Sequence, residues 1–220
     1  MKSFAVILER EHSRATTENK VTAMAHIDPL PAKQLTEFQP MFEQMENMAG
    51  FVPNSLKTMA RRPALLRGYF ALAHAVMLEG EVDVRLKRMA ALMSSTVSGC
   101  GYCQAHMTIF STVLGATPES LMKIYQFELD DSFSETEKAV LRLARDAGSV
   151  PNVVTAEHFA ELRQFFSDDQ IVEIVGAIAL FGFLNRWNDT MATDLEEAPM
   201  ATAVKTIGGL GWRPGKHAGS

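Results

Sequence analysis

Outside residues 4–8, no stretch of this chain sustains the period-two alternation that a strand needs, so nothing in its 220 residues can build a sheet. Apolar residues recur instead at steps of three and four. This spacing predicts helices over residues 34–48, where Leu35, Phe38, Met41, Phe42 and Met45 share a face, and over 82–97, where Leu86, Met89, Ala90 and Met93 do. A short helix is expected over 55–61, and Pro63 opens another through residue 77, because proline is tolerated at a first helical position. Thr117 and Pro118 supply a cap and first residue for a further helix. Ser134 with Glu137, and Ser167 with Gln170, form capping boxes opening helices through residue 147 and over 168–191. The fold class is therefore all-α.

Three parts follow along the chain. Residues 1–32 are polar and irregular, closed by Pro29 and Pro31, and read as an arm. Residues 33–200 form the helical domain. Residues 201–220 form a tail, whose stretch at 208–215 has too many glycines for a helix and docks through Trp212 or frays. The apolar run at 171–184 is broken by Glu173 and ended by Asn185 and Arg186, short of the ~20 residues of a membrane span, so it reads as a buried helix. A formal charge of −5 and the lack of any basic tract exclude nucleic acid as an expected partner. The first residues carry no apolar core long enough for an export signal, which points to the cytoplasm.

The chain has two cysteines, in the run Cys100-Gly101-Tyr102-Cys103-Gln104-Ala105-His106. A disulfide between them closes too small a loop to stabilise the fold, so their value is chemical. At a helix start, free N–H groups and the dipole favour thiolate over thiol. Three-residue spacing brings the two sulfurs onto one face, and places His106 where its imidazole can approach Cys103 as proton acceptor or cationic neighbour. A thiolate, an acid and a resolving thiol are what peroxide reduction requires. The redox-active pair Cys100–Cys103 needs no further cofactor. No metal is expected, since structural zinc usually takes four protein ligands and no second Cys or His pair has ligand spacing. His12, His26, His74, His158 and His217 are scattered singly and read as surface or core residues.

The order Gly50 to Ser55, Arg62-Pro63, then Ser98 to His106 resembles the carboxymuconolactone decarboxylase/alkylhydroperoxidase D-like family, in its peroxidase-related branch. The segments at 115–119, 183–188 and 211–216 extend the likeness over residues 29–217. The resemblance implies an all-α homo-oligomer, dimer, trimer or hexamer, that reduces hydroperoxides with electrons from a dithiol donor. It also implies that Cys103 attacks peroxide and Cys100 resolves. The chain departs from the family at Arg88, where members commonly carry a relay glutamate, and at Met107, where they often carry histidine. Arg88, Tyr102, Glu81, Asn185 and Arg186 are the candidates for substrate or relay roles. Arg88 also leaves open a non-peroxidase enzyme, acting by decarboxylation, lactone processing or isomerisation on an anionic substrate; a non-catalytic redox sensor is the third reading.

Overall fold

The computed structural model describes residues 25–219; residues 1–24 of the expected arm, including the alternating stretch at 4–8, and Ser220 lie outside the described residues. Ten α-helices run through the described residues, and no strand occurs among them. They are α1 (Gln39–Ala49), α2 (Asn54–Met59), α3 (Pro63–Met77), α4 (Val84–Val97), α5 (Gly101–Val113), α6 (Pro118–Lys123), α7 (Glu135–Gly148), α8 (Ala156–Leu162), α9 (Asp168–Met191) and α10 (Glu197–Ile207).

Local chemistry sets most of these boundaries. Pro63 occupies the first turn of α3, as the sequence predicts. The Asp83 carboxylate caps α4 by accepting the Arg85 N–H at 2.7 Å. Both expected capping boxes form, at Ser134–Glu137 and Ser167–Gln170. Two expectations need correction. The first helix does not begin at residue 34: two single 3-10 turns, Ala32–Gln34 and Thr36–Phe38, precede α1, because Pro40 is tolerated in a first turn and would break a helix interior. The tail expected from residue 201 is helical up to Ile207, since α10 runs across that boundary with Pro199 in its first turns and Gly208 after it.

The cysteine helix is the centre of the bundle. Every residue from Gly101 to Ile109 is buried, against α4, α9 and α10, with α1 at one side. Gly99, at φ +74°, reverses the chain between α4 and α5 and leaves Cys100 at the N-cap of α5. The long helix α9 passes the length test for a membrane span, but Ile171, Ile174, Ala177, Ile178, Phe181 and Leu184 are packed into this core.

One buried ion pair fixes the far end of α4. Lys87, 1% exposed, lies 2.8 Å from Glu173 and also donates to the Glu79 carbonyl at 2.7 Å. Glu173 accepts in addition the Glu81 and Val82 N–H groups, at 2.9 and 3.0 Å. A carboxylate from α9 thus ties down the α3–α4 turn, satisfying backbone donors and a buried ammonium together.

Candidate active site

Cys100 and Cys103 are free thiols, 0% and 2% exposed. Cys100 caps α5: its sulfur accepts the Cys103 N–H at 3.5 Å. Asn188, from α9, donates its Nδ2 to the Cys103 sulfur at 3.4 Å. Tyr69, from α3, is half-buried nearby, and its hydroxyl is pushed well up by desolvation first and then by the negative charge of Cys103. Asn188 and Tyr69 are site residues that the sequence reading did not find.

The C-terminal tail supplies the partner of Cys100. Trp212 donates its indole N–H to the Gly101 carbonyl at 3.2 Å and docks the tail on the start of α5. There the chain passes so close that a Cβ on Gly101 would lie 3.1 Å from the Arg213 carbonyl oxygen. His217 follows, 2% exposed, its Nε2 lying 3.1 Å from Asp189 Oδ1 and its Nδ1 donating to the Thr193 carbonyl at 2.8 Å. The Cys100 sulfur, an Asp189 oxygen and a His217 nitrogen all lie within 4.8 Å of one another. Burial pulls His217 down, but its hydrogen bonds to Asp189 and Cys100 outweigh this and lift it to about 9. Cys100 is driven up, first by hydrogen bonding to Cys103 and then by burial.

His106 is not where the sequence spacing puts it. Its ring stacks on Tyr102 at a centroid distance of 4.1 Å, Nδ1 donates to the Tyr102 carbonyl at 2.9 Å, and Nε2 lies 3.0 Å from Glu196 Oε2. The last contact is an ion-pair approach off the line of a good hydrogen bond. With both nitrogens so engaged, His106 faces Glu196 and not the Cys103 sulfur. Tyr102 shares that role: its buried hydroxyl donates to Glu196 Oε1 at 2.9 Å and accepts the Ser55 N–H at 3.2 Å. The Gly50 to Ser55 segment closes this side through Phe51, whose ring is 5.3 Å from His106, and through the Asn54 N–H, which Glu196 accepts.

The remaining candidates separate into near and far. Glu81 stands beyond the opposite end of α4 from Cys100, where its carboxylate accepts from Gln170 at 3.3 Å; it is no relay. Arg88 lies over the Phe110 ring, 5.5 Å from its centroid, and lines a cleft that does not include the cysteines. It cannot replace the family's relay glutamate there. Asn185 and Arg186 line a separate cleft of about 520 Å³ whose wall includes Asp189 and Lys216, so they stand beside the thiol cluster. Asp189 pairs with His217, and Arg186 does not clamp it.

An all-helical bundle with a buried Cys-x-x-Cys pair at the start of its central helix is the alkylhydroperoxidase D-like fold. The sequence profile of the carboxymuconolactone decarboxylase family matches residues 63–146. The debrominase Bmp8 in its apo form is 32% identical over 84% of this chain and 97% of its own, with a TM-score of 0.74. A cysteine-to-alanine variant of Bmp8 in complex with 2,3,4-tribromopyrrole is similar over 86% of this chain and 99% of its own, at 30% identity and a TM-score of 0.76. An uncharacterised peroxidase-related protein from Ralstonia eutropha JMP134, an alkylhydroperoxidase D core, shares the fold at 24% identity, with 79% of this chain, 94% of its own and a TM-score of 0.68. No curated protein sequence matches. The chain belongs to the carboxymuconolactone decarboxylase family.

Proposed function

We propose that the protein is a dithiol-dependent reductase of small hydroperoxides. The observation that carries this reading is the pairing of two free, buried cysteines at one helix start, with hydrogen-bonding groups gathered on each sulfur. Cys103 as thiolate attacks the terminal oxygen of ROOH; the O–O bond breaks, and the alkoxide takes a proton and leaves as ROH. The sulfenic acid on Cys103 is then attacked by Cys100, water leaves, and the Cys100–Cys103 disulfide remains. His217, lifted to about 9 and so protonated at neutral pH, stands beside Cys100 as a cation that favours its thiolate in that second step. An external dithiol restores both thiols, a cycle suited to a reducing compartment such as the cytoplasm.

Bmp8 motivates a second substrate class for the same electrons, a halogenated aromatic. There the Cys103 thiolate takes the halogen, the ring carbon takes a proton, and Cys100 displaces halide to give the same disulfide. Cumene hydroperoxide and a brominated pyrrole, offered separately to the reduced protein, distinguish the two. Either reaction is expected to convert one substrate per two thiols lost, with a Cys100–Cys103 disulfide found by mass spectrometry. Conversion with both thiols intact would point to a non-redox reaction, and a disulfide formed with oxidant but no catalytic turnover would point to a sensor.

A homo-oligomer is proposed from α3. Of its residues only Leu66 is fully buried, while Leu65, Leu72 and, just beyond its end, Leu78 stand exposed at 37%, 52% and 67%. A helix this apolar is expected to be covered by another copy. Sedimentation equilibrium should give a multiple of the chain mass, and a purely monomeric mass at micromolar protein would contradict it.

A further inference from the structure

The fold gathers around Cys100 two side chains from distant parts of the chain, and together the three make a set of donors that a metal ion takes. A thiolate, an imidazole and a carboxylate are each groups that zinc takes as ligands, and catalytic-type zinc sites use three protein groups and keep a fourth position open. The Cys100, Asp189 and His217 ligand atoms lie within 4.8 Å of one another. The imidazole is also held as a metal-binding imidazole is held: Nδ1 donates to the Thr193 carbonyl at 2.8 Å, which turns Nε2 toward Asp189 and Cys100.

Charge and access support the same conclusion. Cys100 and His217 are buried, so an ion there must leave the cluster close to neutral. A thiolate, a carboxylate and a neutral imidazole around a divalent cation sum to zero. Asp189 also lines the cleft of about 520 Å³, which gives an ion a way in that does not pass through the core. Asn185, 5% exposed, lines that cleft with both amide atoms lacking a protein partner, in position to hold a water on the open side of the ion.

We infer that the reduced protein binds one zinc ion per chain through Cys100, Asp189 and His217, and that bound zinc withholds Cys100 from disulfide formation. Binding exchanges the Cys100 thiol proton and the His217 Nε2 proton for the Zn–S and Zn–N bonds and releases both protons to solvent; no electrons move. The inhibitory consequence rests on the dithiol reading above, whereas the binding itself does not.

The test titrates the reduced full-length chain with zinc against a chromophoric chelator, without oxygen, and repeats the titration with cobalt(II) as a spectroscopic probe. One equivalent should bind, with a thiolate-to-cobalt charge-transfer band in the near ultraviolet. Cys100→Ser should lose that band, and His217→Gln and Asp189→Asn should each weaken zinc binding at least about tenfold. Asp189→Asn keeps the side-chain size, and circular dichroism with thermal unfolding of each variant reports whether the fold is intact. Zinc should also slow alkylation of Cys100 more than that of Cys103. No binding by the reduced wild type, or equal affinity in folded His217→Gln and Asp189→Asn, would overturn the site. Zinc bound without any substrate turnover by the metal-free protein would leave the site standing and remove the reductase reading; turnover without zinc binding would do the reverse.

Discussion

Cys103→Ser is expected to lower substrate turnover by at least about 10³-fold, while Cys100→Ser completes one round of chemistry and then stalls. The asymmetry follows from what each sulfur touches. Cys103 receives a hydrogen bond from the Asn188 amide, a donor that stabilises negative charge on sulfur, and lies near Tyr69. Cys100, pushed up by its contact with Cys103 and by burial, stands within 4.8 Å of Asp189 and His217, as the thiol that keeps its proton until the resolving step. In Cys100→Ser the oxidised Cys103 has no neighbour to resolve it. A single-turnover mix with one equivalent of hydroperoxide should therefore yield one alcohol per chain and a sulfenic acid that dimedone traps on Cys103. Trapping on Cys100 in the Cys103→Ser protein, with turnover retained, would reverse the two roles.

The sequence made much of the fold legible because the signals that set it are local. Pro63, the Asp83 cap and the two capping boxes each fix a helix start within four residues, and the structure keeps the boxes and the Pro63 start as read. Where the reading departed, a proline was the overlooked signal: Pro40 delays α1, and Pro199 sits in the first turn of a helix that runs past the boundary read at residue 200. The thiol pair was legible for the same local reason, its spacing and its helix start. Its surroundings were not. Helical spacing allows His106 to turn toward either neighbour, and what decides is Glu196, which arrives from the start of α10 and holds the ring over Tyr102. Asp189, Asn188 and His217 reach the sulfurs only through the packing of α9 and the docking of Trp212. The traces of this in the sequence were the likeness of residues 183–188, which includes Asn188, and that of residues 211–216 to a family tail, which carries the next residue, His217, to the site.

That dependence makes Glu196 the most sensitive position outside the thiols, and Glu196→Ala is expected to destabilise the protein by ~3–5 kcal/mol, the cost of breaking a buried charged pair from one side. The carboxylate, with its side chain 10% exposed, lies against His106, accepts the Tyr102 hydroxyl and the Asn54 N–H, and so joins α10, α5 and the 50–55 segment. Without it, a tyrosine hydroxyl and a backbone donor lose their acceptor in the interior. Burial pushes the Glu196 carboxyl up, but the charge of His106 beside it, together with the Asn54 N–H, outweighs it and holds the group below its ordinary 4.5. A depressed carboxylate stabilises the fold above the pKa it has when unfolded, and that contribution is lost as pH falls through the lower folded value. Wild type should therefore lose stability on acidification across that interval, and Glu196→Gln should lack this component of the loss. Urea unfolding of wild type, Glu196→Ala, Glu196→Gln and His106→Gln, with the Glu196→Gln/His106→Gln double variant closing a cycle, measures the pair. A coupling below about 0.5 kcal/mol would mean that the two side chains are neighbours without being partners, and that the orientation of His106 has another cause.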